Sequence, residues 1–270
     1  MTYAFSPDVR ATLRDNDHRI VITGAGGWLG LATLELLNEA LGPALDARVI
    51  CFGASQRALT LLDGREIEQR PLSAIGMLAP GPSIVLHFAF LTKDLAEEMP
   101  EEDYRHANRS LSAQLLDALD AIDARAVFVA SSGAARFADD PTRTAAMRLY
   151  GELKRADEKA FTEWATAQKR RAVITRLFNI AGPHMNKVRS YALSSLILDA
   201  LKTGTIRVNA PHRVMRGYVA IREMMSLAFA LLLAKPVGIV RFDSGGEAME
   251  LAEIANWLGG CSICRWSVRR

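Results

Sequence analysis

The stretch 19–37, RIVITGAGGWLGLATLELL, constrains the fold more than any other part of the chain. Apolar and β-branched residues run into a glycine cluster, and a leucine-rich amphipathic stretch follows. Gly24, Gly27 and Gly30 fall three apart. A strand that ends in glycines and opens a helix has the geometry of a phosphate cradle. Gly24 can take positive φ for the tight turn, Gly27 lets the backbone approach a pyrophosphate, and Gly30 lets the helix pack close to the strand. The free N–H groups of the helix start then face the anion. The spacing is G-x-x-G-x-x-G rather than G-x-G-x-x-G, and a ligand-free turn between strand and helix is the competing reading.

The rest of the chain repeats the alternation. Segments 47–52, 83–90, 126–132 and 171–178 read as strands, apolar nearly throughout; 29–41, 104–119 and 149–167 read as helices. Strands buried on both faces and separated by helices predict an α/β fold with a parallel sheet covered on both sides. After NIAGP (179–183) the pattern loosens. Helices are predicted at 191–201, 223–234 and 249–258, with short strands at 205–208 and 238–242. The expectation is a nucleotide-binding domain over 1–182 and a small interleaved lobe over 183–270, with 238–242 returning to the sheet.

At 270 residues and 50% hydrophobic, the chain has ample material for one large core. Its net charge of +3 is mild and spread out, which argues against a nucleic-acid partner; the basic end RWSVRR reads as a solvated tail. Three cysteines are too few for a disulfide framework, and Cys261-x-x-Cys264 has no second ligand pair, so no metal site is expected. The mixed-charge N-terminus lacks the apolar core of a signal peptide, and the longest apolar run, 226–234, is far short of the ~20 residues of a membrane span. A cytoplasmic protein without a membrane partner is expected.

Two features assign chemistry. After the second strand the sequence reads CFGASQR, without the carboxylate that usually meets an adenosine ribose. Ser55 and Arg57 suit a 2′-phosphate instead, which tilts the cofactor toward NADP over NAD; an ordinary exposed arginine is the alternative. In YGELK, Tyr150 and Lys154 lie four apart on one helix face. A phenol is a poor base at its ordinary pKa of about 10. A nearby ammonium and an oxidised nicotinamide stabilise the phenolate, so Tyr150 can exchange a proton with a substrate hydroxyl or carbonyl while hydride moves. Ser131 and Ser132 close a strand one connection earlier, where a hydroxyl can bond the reacting oxygen.

Taken together, these residues resemble the extended short-chain dehydrogenase/reductase family, in its nucleotide-sugar epimerase/dehydratase branch. TGAGGWLG is similar to the family's cofactor loop, which adds Trp28 and Leu29 to the glycines as cofactor contacts. LHFAF (86–90) resembles its His-x-Ala motif, where Ala89 would border the dinucleotide. NRSLSAQLLDA (108–118) makes Asn108 a scaffold or cofactor contact. In SSGAA the register makes Ser132 the catalytic serine, beside Tyr150 and Lys154. TRLFNIAGP (175–183) would turn Asn179 to the substrate nucleotide, and RGYVAIREM (216–224) would have Arg216 grip a substrate diphosphate.

The resemblance implies a Rossmann-type doubly wound sheet, a nucleotide-sugar substrate and hydride transfer through a keto-sugar, as in an epimerase or a 4-ketoreductase. The departures narrow this. Gly133 and Ala134 stand where 4,6-dehydratases carry Asp-Glu, against a dehydratase. Arg136-Phe137 replaces Tyr-Gly, and Gly217 and Ala220 replace an Asp and a His. GGCSICRWSVRR does not resemble the family's continuation after 249–258, so a shallow, altered or partner-completed pocket is expected. Two other readings stay open: a catalytically silent NAD(P)-binding sensor or scaffold, and a reductase of a non-nucleotide carbonyl. The family also implies a homodimer through the Tyr-Lys helix, where Leu153, Ala156, Ala160, Phe161 and Trp164 would supply apolar surface.

Overall fold

The computed structural model describes residues 2–208, 212–234, 237–260 and 268–269. Cys261 and Cys264 lie outside them. The chain opens with α1 (Pro7–Asp15), then β1 (Arg19–Thr23), α2 (Trp28–Leu41), α3 (Leu45–Arg48), β2 (Val49–Gly53), β3 (Arg57–Thr60), β4 (Glu66–Pro71) and β5 (Ser83–His87). It continues with α4 (Leu95–Glu98), α5 (Glu101–Leu119), β6 (Ala124–Ser132), α6 (Ala145–Ala167) and β7 (Arg171–Leu177). The last part comprises β8 (Asn179–Ala181), α7 (Ala192–Thr203), β9 (Ile206–Arg207), β10 (Met215–Ala220), α8 (Ile221–Leu233), β11 (Ile239–Asp243), β12 (Glu247–Glu250), α9 (Leu251–Gly260) and β13 (Val268–Arg269).

The main sheet runs β11-β7-β6-β5-β1-β2-β4-β3. Every pair is parallel except β3 with β4. Successive strands lead outward in one direction from β1 to β4 and in the other from β5 to β11, so the order reverses between β1 and β5. Ligands of such sheets sit at the carboxyl ends of the strands beside that reversal. This is the doubly wound Rossmann-type sheet, with β11 returning beside β7 as the sequence predicts.

Two apolar layers flank the sheet. On one side, Leu34 and Leu37 of α2 pack with Met225 and Phe229 of α8, and α1 adds Val9 and Leu13. On the other, Leu115 and Leu119 of α5 and Phe161 of α6 meet Val85, Val127 and Ile174 of the sheet. Leu153 and Phe161 are buried in the chain's own core, and the Trp164 indole donates to Asp120 Oδ1 at 2.8 Å. Two of the five apolar residues expected to face a partner are therefore turned inward.

Several boundaries differ from the sequence expectation. The N-terminal segment, where no element was expected, forms α1, with Pro7 in its first turn and Phe5 edge-on to Phe229 at 5.1 Å. The run 83–90 stops being strand at His87, because Phe88 and Ala89 pass directly over the Gly24 backbone. β3 and β4 fill the connection from β2, where a crossover helix is usual. A second sheet, β12-β10-β8, is built from the C-terminal part of the chain. Val268–Arg269 of the basic tail pairs with β9. No described helix is long and apolar enough to cross a membrane, and among the described residues no cluster of His, Cys, Asp or Glu could hold a metal ion.

Candidate active site

The glycine loop joins β1 to α2 at the strand reversal. Gly24 has φ +72°, and a Cβ there would fall 2.6 Å from the Ala89 backbone nitrogen. A Cβ at Gly30 would fall 2.4 Å from the Ala25 carbonyl oxygen. Both positions require glycine, the first for conformation and contact, the second for helix–strand approach. Gly27 is less constrained: its N–H donates to Gly24 O at 3.0 Å, and a Cβ would meet only that oxygen, at 3.2 Å.

The turn after β2 reaches the same loop. The Arg57 guanidinium donates to Gly26 O at 3.3 Å. Gln69, on β4 and 2% exposed, ties the two together: its Oε1 accepts from the Gly26 N–H at 3.0 Å and its Nε2 donates to Ser55 O at 2.8 Å. Sequence reasoning missed Gln69, which reads as one polar residue in a charged stretch.

From this loop a cleft of about 460 Å³ leads across the sheet ends. Gly24, Gly27, Trp28, Leu29 and Gly30 line one part, and Ser132, Tyr150 and Lys154 another. Tyr191 packs against Trp28 at a tilt, with ring centroids 5.0 Å apart and planes at 56°. Ala89 is buried behind the loop, while its neighbours Phe88 and Phe90 face the cleft. Asn108 is buried with both ends of its amide used: Oδ1 accepts from the Leu91 N–H at 2.8 Å and Nδ2 donates to Tyr104 O at 3.0 Å. These bonds tie α5 to the loop that leaves β5.

A second cavity of about 670 Å³ adjoins the cleft. Asn179 and Arg216 line it with Lys93, Arg143 and Asp243, and it shares Ser132 and Tyr150 with the cleft. Asn179 Nδ2 donates to Gly217 O at 3.2 Å. Gly133 and Ala134 also line this wall, and a Cβ at Gly133 would fall 2.5 Å from the Phe178 ring. Among the described residues its one lining carboxylate, Asp243, is paired with Arg136.

The electrostatics beneath the site are layered. Burial pushes the Tyr150 phenol up to about 12, and the neighbouring Ser132 hydroxyl, which stabilises the phenolate, pulls the other way. Lys154 does not bond the phenol directly. Its Nζ donates to Ala130 O at 2.8 Å and lies 3.6 Å from the Phe90 ring centroid. Burial lowers this ammonium to about 8, while Asp157 and Glu158 draw it back up. Burial would raise Glu158, but bidentate bonds from Arg176 (both 2.7 Å) and one from the Ser131 hydroxyl hold its carboxyl below the usual range. Ser131 lines the cleft, but its hydroxyl is committed to this network. His87, lowered to about 3 by burial and by Lys154, is a neutral ring bonded to Thr23 Oγ1 at 2.8 Å.

These features fit a dinucleotide: a glycine cradle with no room for a Cβ at Gly24 or Gly30, a long cleft at the strand reversal, and a buried lysine at its far end. Comparisons place the chain among known proteins. The description "NAD dependent epimerase/dehydratase family" matches residues 20–241. A search of curated proteins finds no match. Among solved structures, the chain is similar to a UDP-N-acetylglucosamine 4-epimerase from Methanobrevibacter ruminantium M1 in complex with UDP-N-acetylmuramic acid (TM-score 0.70, 16% identity, 94% of this chain and 86% of that one). It is similar as well to MoeE5 in complex with UDP-glucose and NAD (TM-score 0.68, 18% identity, 93% and 85%). A third is DesIV, a dTDP-glucose 4,6-dehydratase from Streptomyces venezuelae with NAD and TYD bound (TM-score 0.64, 19% identity, 93% and 85%). At these identities the structures establish the shared Rossmann-type fold, and the match over most of its length shows that the chain belongs to the NAD-dependent epimerase/dehydratase family.

Proposed function

We propose that this protein is an NAD(P)-dependent nucleotide-sugar epimerase or 4-ketoreductase that works through Ser132, Tyr150 and Lys154. One observation carries the reading: the cleft and the second cavity meet at Ser132 and Tyr150. A cofactor held in one and a sugar held in the other would both reach the phenol.

When bound, the nicotinamide supplies hydride exchange. The chain's own residues supply the rest. Tyr150 exchanges a proton with the substrate oxygen, and Ser132 holds that oxygen by a hydrogen bond. Lys154 keeps a positive charge near the phenol, which must ionise despite its burial. Asn179 and Arg216 hold the nucleotide end of the substrate. Gly133 and Ala134 offer no acid or base for eliminating water, which favours epimerisation or reduction over dehydration. Ser55 and Arg57 at the glycine loop support NADP over NAD, and with it the reductase.

Thermal-shift binding of NAD, NADP and a panel of UDP-, dTDP- and GDP-sugars tests this, since stabilisation follows affinity by mass action. Stabilisation by one nicotinamide cofactor and by one nucleotide class is expected. A protein that answers to neither sinks the proposal. Cofactor retained through purification marks the epimerase; its free exchange marks the reductase.

A further inference from the structure

One cation of the second cavity has no part in the chemistry above. Arg143 lies in the connection from β6 to α6, two residues before the helix, and lines the same cavity as Met147 and Tyr150 of its first two turns. Side chains on a helix lean toward its N-terminus, so the phenol leans toward Arg143. Arg143 and Tyr150 thus border the same cavity.

The guanidinium is held for use. Its carbon lies 4.6 Å from the centroid of the Phe137 ring, so one face is covered. Its Nε donates to Asp140 Oδ2 at 3.3 Å. Asp140 is anchored in turn, because its Oδ1 accepts from the Thr142 N–H at 2.9 Å and hydroxyl at 2.7 Å. Among the described residues, the two terminal nitrogens of Arg143 donate to no acceptor. The neighbouring cations are engaged: Arg136 with Asp243, and Lys93 with Glu97 at 2.9 Å. Phe137 belongs to the Arg136-Phe137 pair that replaces Tyr-Gly of the resembled family, so the platform under Arg143 is this chain's own.

A guanidinium stacked on a phenyl face presents its terminal N–H groups as a planar fork. Such a fork takes both oxygens of a carboxylate at once. Arg216, on β10 of the lobe sheet, stands on a different element and is the cation left for a diphosphate. A neutral hexose beside Tyr150 would offer Arg143 only hydroxyl oxygens, with no charge to meet its own and no paired acceptors for the fork. We infer that Arg143, set on Phe137, recognises a carboxylate carried by the sugar ring, so that the substrate is a nucleoside diphosphate uronic acid or a similarly carboxylated sugar. This rests on the nucleotide-sugar reading and names its class.

The test compares matched pairs by equilibrium binding: UDP-glucuronic acid against UDP-glucose, and GDP-mannuronic acid against GDP-mannose, with UDP and GDP alone. In one nucleotide series the acid is expected to bind at least tenfold tighter than its neutral partner, the scale of a charged hydrogen-bond pair. R143Q erases that advantage and F137L reduces it, while the nucleotide alone reports the diphosphate grip separately. Equal affinity for acid and neutral sugar in the wild type overturns the inference. So does an R143Q protein that keeps the preference, or one that loses nucleotide-alone binding as strongly as it loses the acid, since Arg143 would then be a phosphate contact. If no nucleotide or nucleotide sugar binds, the underlying reading fails and this one falls with it. NADP or NAD binding by each variant confirms that it is folded.

Discussion

The Lys154 ammonium joins β6 to the loop that leaves β5, donating to Ala130 O at 2.8 Å while lying 3.6 Å from the Phe90 ring centroid. Phe90 leaves β5 and Ala130 belongs to β6, so one charge is pinned between the loop over the cofactor cleft and the strand that carries Ser132. That position explains why Lys154 is lowered to about 8 by burial. The site needs the protonated form, which is present below that value and lost as pH rises through it. Cofactor affinity is therefore expected to fall as pH rises through about 8. Replacing Lys154 with Met should remove both the pH step and most of the affinity, read by titrating cofactor binding between pH 6 and 10.

Tyr150→Phe separates catalysis from binding. Loss of a general acid or base costs roughly 10²–10⁴ in rate. Turnover should fall by that order while cofactor and nucleotide binding, measured by thermal shift, stay close to wild type. An unchanged turnover would mean that the phenol is not the proton-exchanging group, and the silent-binder reading would gain.

The glycines should rank by geometry. Gly24→Ala meets both a positive φ and the Ala89 backbone at 2.6 Å, and backbone cannot give way as a flexible side chain can. It is expected to abolish cofactor binding and to lower Tm by several degrees, a cost of about 1–3 kcal/mol or more. Gly27→Ala faces one oxygen at 3.2 Å and should cost far less. Equal effects would show that conformation at Gly24 is not what the loop selects for.

Arg57→Ala tests the cofactor preference. Losing a charged contact to a 2′-phosphate should weaken NADP by about tenfold and leave NAD unchanged. Parallel losses for both cofactors would make Arg57 a support for the glycine loop through Gly26 O instead.

Arg176→Leu leaves the Glu158 carboxylate buried without its fork. The cost expected is about 3 kcal/mol, the low end for breaking a buried pair. In the wild type Glu158 is held below its ordinary range, so its stabilising share is present above about pH 4 and lost as pH falls further. The variant should be less stable at neutral pH and should lose less on acidification, measured by urea unfolding at pH 7 and again at a pH well below 4.

What could be read from the chain follows one division. β1, β2, β5, β6 and β7 are visible as apolar runs because burial on both faces leaves no other composition. The glycine loop and Tyr150-x-x-x-Lys154 are visible because their spacing is local. β4 is hidden because its two inward residues are Ile67 and Gln69: the polar one breaks the alternation that marks a strand. The roles of Gln69, Phe90 and Arg143 depend on partners that the fold brings from other segments, and neither periodicity nor motif spacing carries that information. Asn108 and Ser131 are legible as residues of interest, yet their hydrogen bonds run into the scaffold and not toward the cleft.

The amide of Gln69 has a consequence for anyone who would redesign this protein. It grips Gly26 with one end and Ser55 with the other, from a strand two places away in the sheet. The residues that would touch the cofactor ribose are therefore not an independent cassette. Transplanting 53–57 into a relative would carry the fingers without the wrist, and random mutagenesis confined to that turn would search around a hinge it cannot alter. In this chain, the turn that would meet a cofactor ribose is built from three distant segments that must change together.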